Sequence, residues 1–325
     1  MTDVPGLLLA GAALVLWSLS PFFFTGTGKR IGPFATNLLR LLFAFLALCA
    51  FCLLRGLFGF HIPHPGLGSV LWLSASGVVG LTIGDAFLYQ AFVTVGPERT
   101  SQIQTLAPAA TAAIAWFALR EILSTPQMLG MGLILGGVLM ATTSAARSAI
   151  RSAANDAGAR GVDSATPSSA AAPAPSASGL LTGAWAAIWS ALFQAIGTVL
   201  ARKGFQSQAD LDPIVATTIR IGSGTLALWA FARWKGPLRP VLGRWTEKRT
   251  WKLLAAGVLF GPLLGMVCYV AALKFAPAGI VTTITFMAPL IIIPIGAKLY
   301  GTRITAAALC GTALSLGGVV LLGLG

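Results

Sequence analysis

The sequence predicts an all-α membrane protein of about ten transmembrane helices arranged as two inverted five-helix repeats. Three observations predict it. The chain of 325 residues is 56% hydrophobic and only 10% charged, with a mean hydropathy of +0.83, whereas soluble domains carry about 25% charged residues. Apolar runs of the roughly 20 residues needed to cross a roughly 30 Å hydrocarbon layer recur along the chain. The pattern of these runs then repeats itself at an offset near 180 residues.

In chain order the runs are 6–24, 33–54, 68–94, 99–118 and 127–146, then 180–201, 213–232, 252–273, 277–297 and 305–323. The first follows "MTDVPG", which lacks a basic n-region, so it is expected to stay as a helix and not to be removed as a signal. Residues 147–179 end in "ARGVDSATPSSAAAPAPSASG". Such a segment cannot bury enough apolar surface to order itself and is expected to be a flexible linker. The chain thus divides into a first repeat, 1–146, the linker, and a second repeat, 180–325.

Duplication is carried by matches in chain order. "LWS" at 16–18 matches "IWS" at 188–190, and "ATNLLR" ending at Arg40 matches "ATTIR" ending at Arg220, 180 residues later. Tyr89 in "FLYQAF" matches Tyr269 in "VCYVAAL", again 180 apart, and "VGP" ending at Pro97 matches "FAP" ending at Pro277. "LAP" ending at Pro108 matches "MAP" ending at Pro289, 181 apart, and "LGGVLM" at 135–140 matches "LGGVVL" at 316–321. Because five is odd, the second copy enters the bilayer in the opposite sense. Inverted repeats are the architecture of secondary transporters, whose substrate site lies between the repeats near the bilayer midplane.

The net charge of +13 sits mostly in short loops, so it reads as a topology signal and not as a nucleic-acid surface. Fifteen Lys and Arg lie in the loops after the odd-numbered spans, against five (Arg55, Arg120, Arg202, Lys203, Lys274) on the other side. That count argues for termini outside the cytoplasm. The cysteines Cys49, Cys52, Cys268 and Cys310 all fall within spans, where a thiol packs as a small hydrophobe. His61 and His64 share the turn "FHIPHPG" and do not make a metal site; no phosphate-binding G-x-x-x-x-G-K-[ST] loop is present. No cofactor is expected.

The ten-span, two-repeat layout, the Arg in the second span of each half, "GDAFLYQAF" leading to "GP", the mid-span "AP" and "LREILS" at 119–124 together resemble the EamA-type branch of the drug/metabolite transporter superfamily. The resemblance spans the whole chain apart from the linker. It implies export of a small metabolite such as an amino acid, an amine or a drug-like compound, and termini inside the cytoplasm, the reverse of the charge count. The second half departs from the pattern: Thr302 in "LYGTRIT" stands where Glu121 would fall.

Of nine acidic residues only Asp85 is deep in a span. It lies about ten residues, or about 15 Å, from the loop at 95–98, and Arg40 lies about nine residues from the loop at 25–31 on the same face. The two therefore share a depth. They are expected to form a structural ion pair, or Asp85 carries protons or a substrate amine, with Thr82 and Tyr89 on its helical face. Arg220 has no inherited partner, since Gly265 matches Asp85. It either snorkels, pairs with Asp210 or Asp212, or holds a substrate anion.

Pro108 and Pro289 fall mid-span at symmetric places, beside "TSQIQT" with Gln104 and "TTIT" with Thr285, and are expected to break their helices beside a wet cavity. Trp17, Ser18, Trp189, Ser190 and Gln194 lie about ten residues into spans one and six, too deep for an interface belt, and are expected to line that cavity with Tyr269. Pro262 and Pro294 are expected to be unmatched kinks. The glycine repeats at 130–137 and 310–318 are expected to serve close helix packing, within the chain or at a homodimer face.

The sequence thus reads as a secondary transporter of the bacterial inner membrane, a monomer or homodimer in contact with lipid, exchanging a small-molecule substrate, and protons, by alternating access. A lipid flippase shares the repeat and is the alternative. An integral-membrane enzyme would need a nucleophile with its base or a metal cluster, and none is visible.

Overall fold

A computed structural model describes residues 4–59, 64–94, 100, 103–159, 177–235, 248–288, 290–292, 294–295 and 306–324. All regular structure among them is helical. The first half contains α1 (Val4–Ile31), α2 (Pro33–Leu57), α3 (Leu67–Ser76), α4 (Asp85–Thr94), α5 (Leu106–Leu119) and α6 (Thr125–Ala159). The second contains α7 (Ala177–Ser207), α8 (Pro213–Lys235), α9 (Lys248–Val258), α10 (Met266–Phe275), α11 (Ala278–Thr285) and α12 (Ala306–Leu324).

Six described stretches are long and apolar enough to cross a membrane: Val4–Phe24, Phe34–Leu57, Leu67–Leu88, Leu181–Ser207, Pro213–Trp234 and Arg249–Phe275. Four shorter apolar helices, Leu106–Leu119, Thr125–Ala141, Ala278–Ile292 and Leu309–Leu322, coincide with the remaining runs of the sequence. Apolar side chains fill the interior (Leu38, Leu41, Ile134, Ile221, Leu273) and also cover the outside (Leu8, Leu53, Phe117, Leu226, Val320). That two-sided distribution suits lipid, which removes the need for a polar exterior.

The third span of each half carries the same irregularity. A π-helical segment, Gly77–Gly84, joins α3 to α4, and another, Leu259–Gly265, joins α9 to α10. Their last residues are 181 apart, so the duplication is visible in the backbone as well as in the letters. Pro262, expected to be an unmatched kink, lies inside the second π segment, and the first carries no proline. A π turn widens the helix and leaves the backbone partly unratcheted, which is why such segments cluster where helices must deform.

Two five-helix bundles merely facing each other are not what forms. The first helix of each half crosses to the other half: α1 packs along α9, the second π segment, α10 and α11, and α7 packs along α3, the first π segment, α4 and α5. Equivalent spans also meet in pairs, α2 with α8, α5 with α11 and α6 with α12. Glycine permits the crossings: a Cβ on Gly197 would lie 2.9 Å from the Cα of Gly80, and one on Gly257 2.6 Å from the Phe24 ring. Small residues at such contacts replace the hydrophobic drive that lipid cannot supply.

One further expectation changes and another is narrowed. α6 continues to Ala159, into the segment expected to be linker; its Ala-rich stretch is a good helix former even without a core to join. The glycine repeats close the α6–α12 contact inside the chain, with Gly130 against the Gly318 carbonyl, Gly137 against Gly311 and Ser315, and Ser315 Oγ donating to the Ile134 carbonyl at 3.2 Å.

Candidate functional site

Arg40 and Asp85, placed at equal depth by counting residues, are brought together. Arg40 Nη2 donates to Asp85 Oδ2 at 2.6 Å, while Arg40 Nε donates to Asn37 Oδ1 at 2.7 Å and the guanidinium stands 5.7 Å from the Phe24 ring centre. Asn37, one turn before Arg40, was legible in the sequence by spacing alone. Asp85 is buried at the start of α4, directly after the π segment.

Arg220 behaves differently from two of the three expectations. It is 4% exposed, so it does not snorkel, and Asp212 is engaged elsewhere, paired with Arg55 at 2.9 Å and capping α8 through the Ile214 and Val215 amides. Nε and Nη1 of Arg220 are buried without an acceptor. Its guanidinium stands 5.5 Å from the ring centre of Tyr269, whose ring lies 4.9 Å from that of Trp17. Trp17 Nε1 donates to the Gly261 carbonyl of the second π segment at 3.2 Å.

Thr198, not singled out in the sequence, completes this group. Its hydroxyl lies 2.6 Å from the Tyr269 hydroxyl and 2.9 Å from the Gln194 carbonyl. A hydroxyl has one proton; Thr198 spends it on the carbonyl, which accepts only, so Tyr269 donates to Thr198.

A second polar group lies across α5 and α7. Gln104 Nε2 donates to Ser190 Oγ at 2.9 Å, Gln194 Nε2 reaches the same oxygen at 3.4 Å, and Gln104 Oε1 is buried without a donor. Span four breaks just after Gln104: Thr105 stands at the N-cap position of α5 without a side-chain cap bond, and Pro108 sits in the first turn, where a missing N–H does no harm. Span nine breaks at Phe286, where α11 ends, 181 residues after Thr105; Pro289 lies outside the described residues.

The remaining expected cavity groups separate. Thr285 donates to the Val281 and Thr282 carbonyls, Ser18 to the Leu14 carbonyl and Thr82 to the Gly224 carbonyl of α8. These hydroxyls satisfy helix backbone and offer no free donor, as Ser and Thr in helices commonly do. Trp189 does not join Trp17; it stands 47% exposed beside Phe193, which stacks on Phe87. The Tyr89 side chain lies outside the described residues.

One junction escaped the sequence reading. Arg120 adopts a left-handed φ of 55°, and the following Glu121 accepts from Arg202 Nε at 2.8 Å and from the Ala278 amide at 3.0 Å. Arg202 Nη1 in turn donates to the carbonyls of Leu273 and Lys274. One ion pair therefore caps the C-terminus of α10 and the N-terminus of α11, each with the charge its dipole favours. On the same face Lys274 Nζ donates to the Leu211 carbonyl, and Gln208 joins the Gly66 amide and the His64 carbonyl. Residues far apart in sequence meet here, which spacing cannot reveal.

Comparison with known proteins agrees with this architecture. The sequence profile of the EamA-like transporter family matches the chain twice, over residues 4–143 and 181–324. No curated protein matches it. A solved structure described as "Crystal structure of protein" superposes with a TM-score of 0.69 at 19% identity, covering 98% of this chain and 96% of its own, a likeness of fold.

Proposed function

Because this chain belongs to the EamA-like transporter family, multi-pass membrane transporters of small substrates, we propose that it is a secondary carrier that exports a small metabolite in exchange for protons taken up at Asp85. The observation that carries the reading is the buried Arg40–Asp85 pair at the start of α4. A carboxylate deep in a bilayer is expensive and tends to mark an ion pathway, and protonating Asp85 would release Arg40 from it. In this reading the chain crosses the inner membrane ten times, five in each half and hence in opposite senses, with residues 147–179 joining 1–146 to 180–325.

The reciprocal packing supports alternating access by two mixed units, α1 with α9–α11 and α7 with α3–α5, rather than by one intact half rocking against the other. The two π segments and the breaks at Thr105 and Phe286 are the places where these units bend. The Glu121–Arg202 junction holds one face shut, and its loss opens that face. The test is transport in proteoliposomes: Asp85→Asn abolishes pH-driven uptake while leaving substrate exchange without a pH gradient. Unchanged pH-driven rates in that variant overturn the proton role.

A further inference from the structure

The family resemblance implies an amine or amino acid as cargo, but the charges deep in the spans point to another class. Among the described residues these charges are Arg40, Asp85 and Arg220. Asp85 already accepts from Arg40 at 2.6 Å, so it has no free charge to offer an ammonium. Arg220 contributes a second cation within electrostatic reach of Asp85, which leaves one positive charge uncompensated. Two of its three guanidinium nitrogens lack an acceptor.

A buried guanidinium in this condition is costly, because arginine does not discharge and its unpaired N–H groups lose their water. The neighbours do not repair it. Tyr269 contributes a ring face at 5.5 Å, which attracts the cation, and a hydroxyl oxygen that accepts from the guanidinium, yet Nε and Nη1 still have no acceptor. The guanidinium head also rests against Gly80, where a Cβ would stand 3.5 Å from Nη2, so this residue brings no side chain to it. The π segment also packs tightly on the α8 backbone at Arg220, since a Cβ on Gly77 would overlap the Arg220 carbonyl.

We infer that Arg220 is the seat for the anionic group of the cargo, and that the cargo is a small organic carboxylate of net negative charge. A carboxylate supplies both missing acceptors and the missing charge in one group. The inference rests on the carrier reading only for calling the ligand a cargo; the anion seat stands on Arg220 alone.

Three probes share one phenylalkyl skeleton and differ in charge: 3-phenylpropionate is an anion, phenylalanine a zwitterion and phenethylamine a cation. Binding to the purified full chain in detergent, measured by calorimetry, is expected to be tightest for the acid and weakest for the amine. Arg220→Gln weakens the acid about tenfold or more, and Arg220→Lys, which keeps the charge, weakens it less. Tightest binding of the amine or the zwitterion, no binding of the acid, or unchanged acid binding in Arg220→Gln overturns the inference. If Arg220→Gln does not fold, the order of the three probes on the natural chain and the Arg220→Lys affinity still decide. Efflux from proteoliposomes separates the two readings. Acid that binds through Arg220 but is never moved sinks the carrier and leaves the seat, whereas movement that favours the amine leaves the carrier and sinks the seat.

Discussion

Arg40 Nη2 and Asp85 Oδ2 lie 2.6 Å apart, although the two residues come from different spans and are 45 positions apart in sequence. Removing one partner of a buried pair strands the other charge, at a cost of about 3–5 kcal/mol. Arg40→Ala and Asp85→Ala are each expected to lower thermal stability in detergent markedly, and the double variant by less than the sum of the two. Strict additivity in that cycle would show that the two charges are not coupled.

Glu121 and Arg202 cap two helix ends with one ion pair. Glu121→Gln is therefore expected to loosen this face of the protein. With Cys49, Cys52, Cys268 and Cys310 replaced by serine, a single cysteine introduced by Thr198→Cys reports the change. It should react faster with an impermeant maleimide added from the Glu121 side in the Glu121→Gln background, and an equal or slower rate counts against the latch.

Gly136 and Gly137 are neighbours with opposite surroundings. A Cβ on Gly137 would overlap the Gly311 carbonyl and the Ser315 hydroxyl, whereas one on Gly136 meets nothing within 4 Å. Gly137→Ala should destabilise by about 1–3 kcal/mol through overpacking. Gly136→Ala should be neutral or stabilising by up to about 1 kcal/mol, because alanine suits a helix better. If Gly136→Ala instead changes the oligomeric state measured by light scattering, the outer glycines serve an interface between copies.

Tyr269→Phe keeps the ring beneath Arg220 and removes only the hydroxyl that donates to Thr198. The expected loss is about 0.5–1.5 kcal/mol, read by thermal denaturation. Tyr269→Ala also removes the contact with Trp17 at 4.9 Å and is expected to cost about 3–5 kcal/mol, the range for deleting a buried aromatic. Equal losses in the two variants would mean that the ring contributes nothing.

The amino-acid sequence by itself determined the helical class, the apolar runs, the duplication, and the shared depth of Arg40 and Asp85. These follow from local quantities: hydropathy summed along a run, a constant rise of about 1.5 Å per residue, and letters compared at one offset. Only the tertiary structure decided that α1 and α7 change sides, that Thr82, Thr285 and Ser18 spend their hydroxyls on backbone, that Glu121 finds Arg202, and that Nε and Nη1 of Arg220 are left without an acceptor. Each of these depends on which faces of distant helices meet, and in lipid that choice is made by the fit of small residues, which the sequence displays in the glycine repeats of α6 and α12 without naming the partner helix.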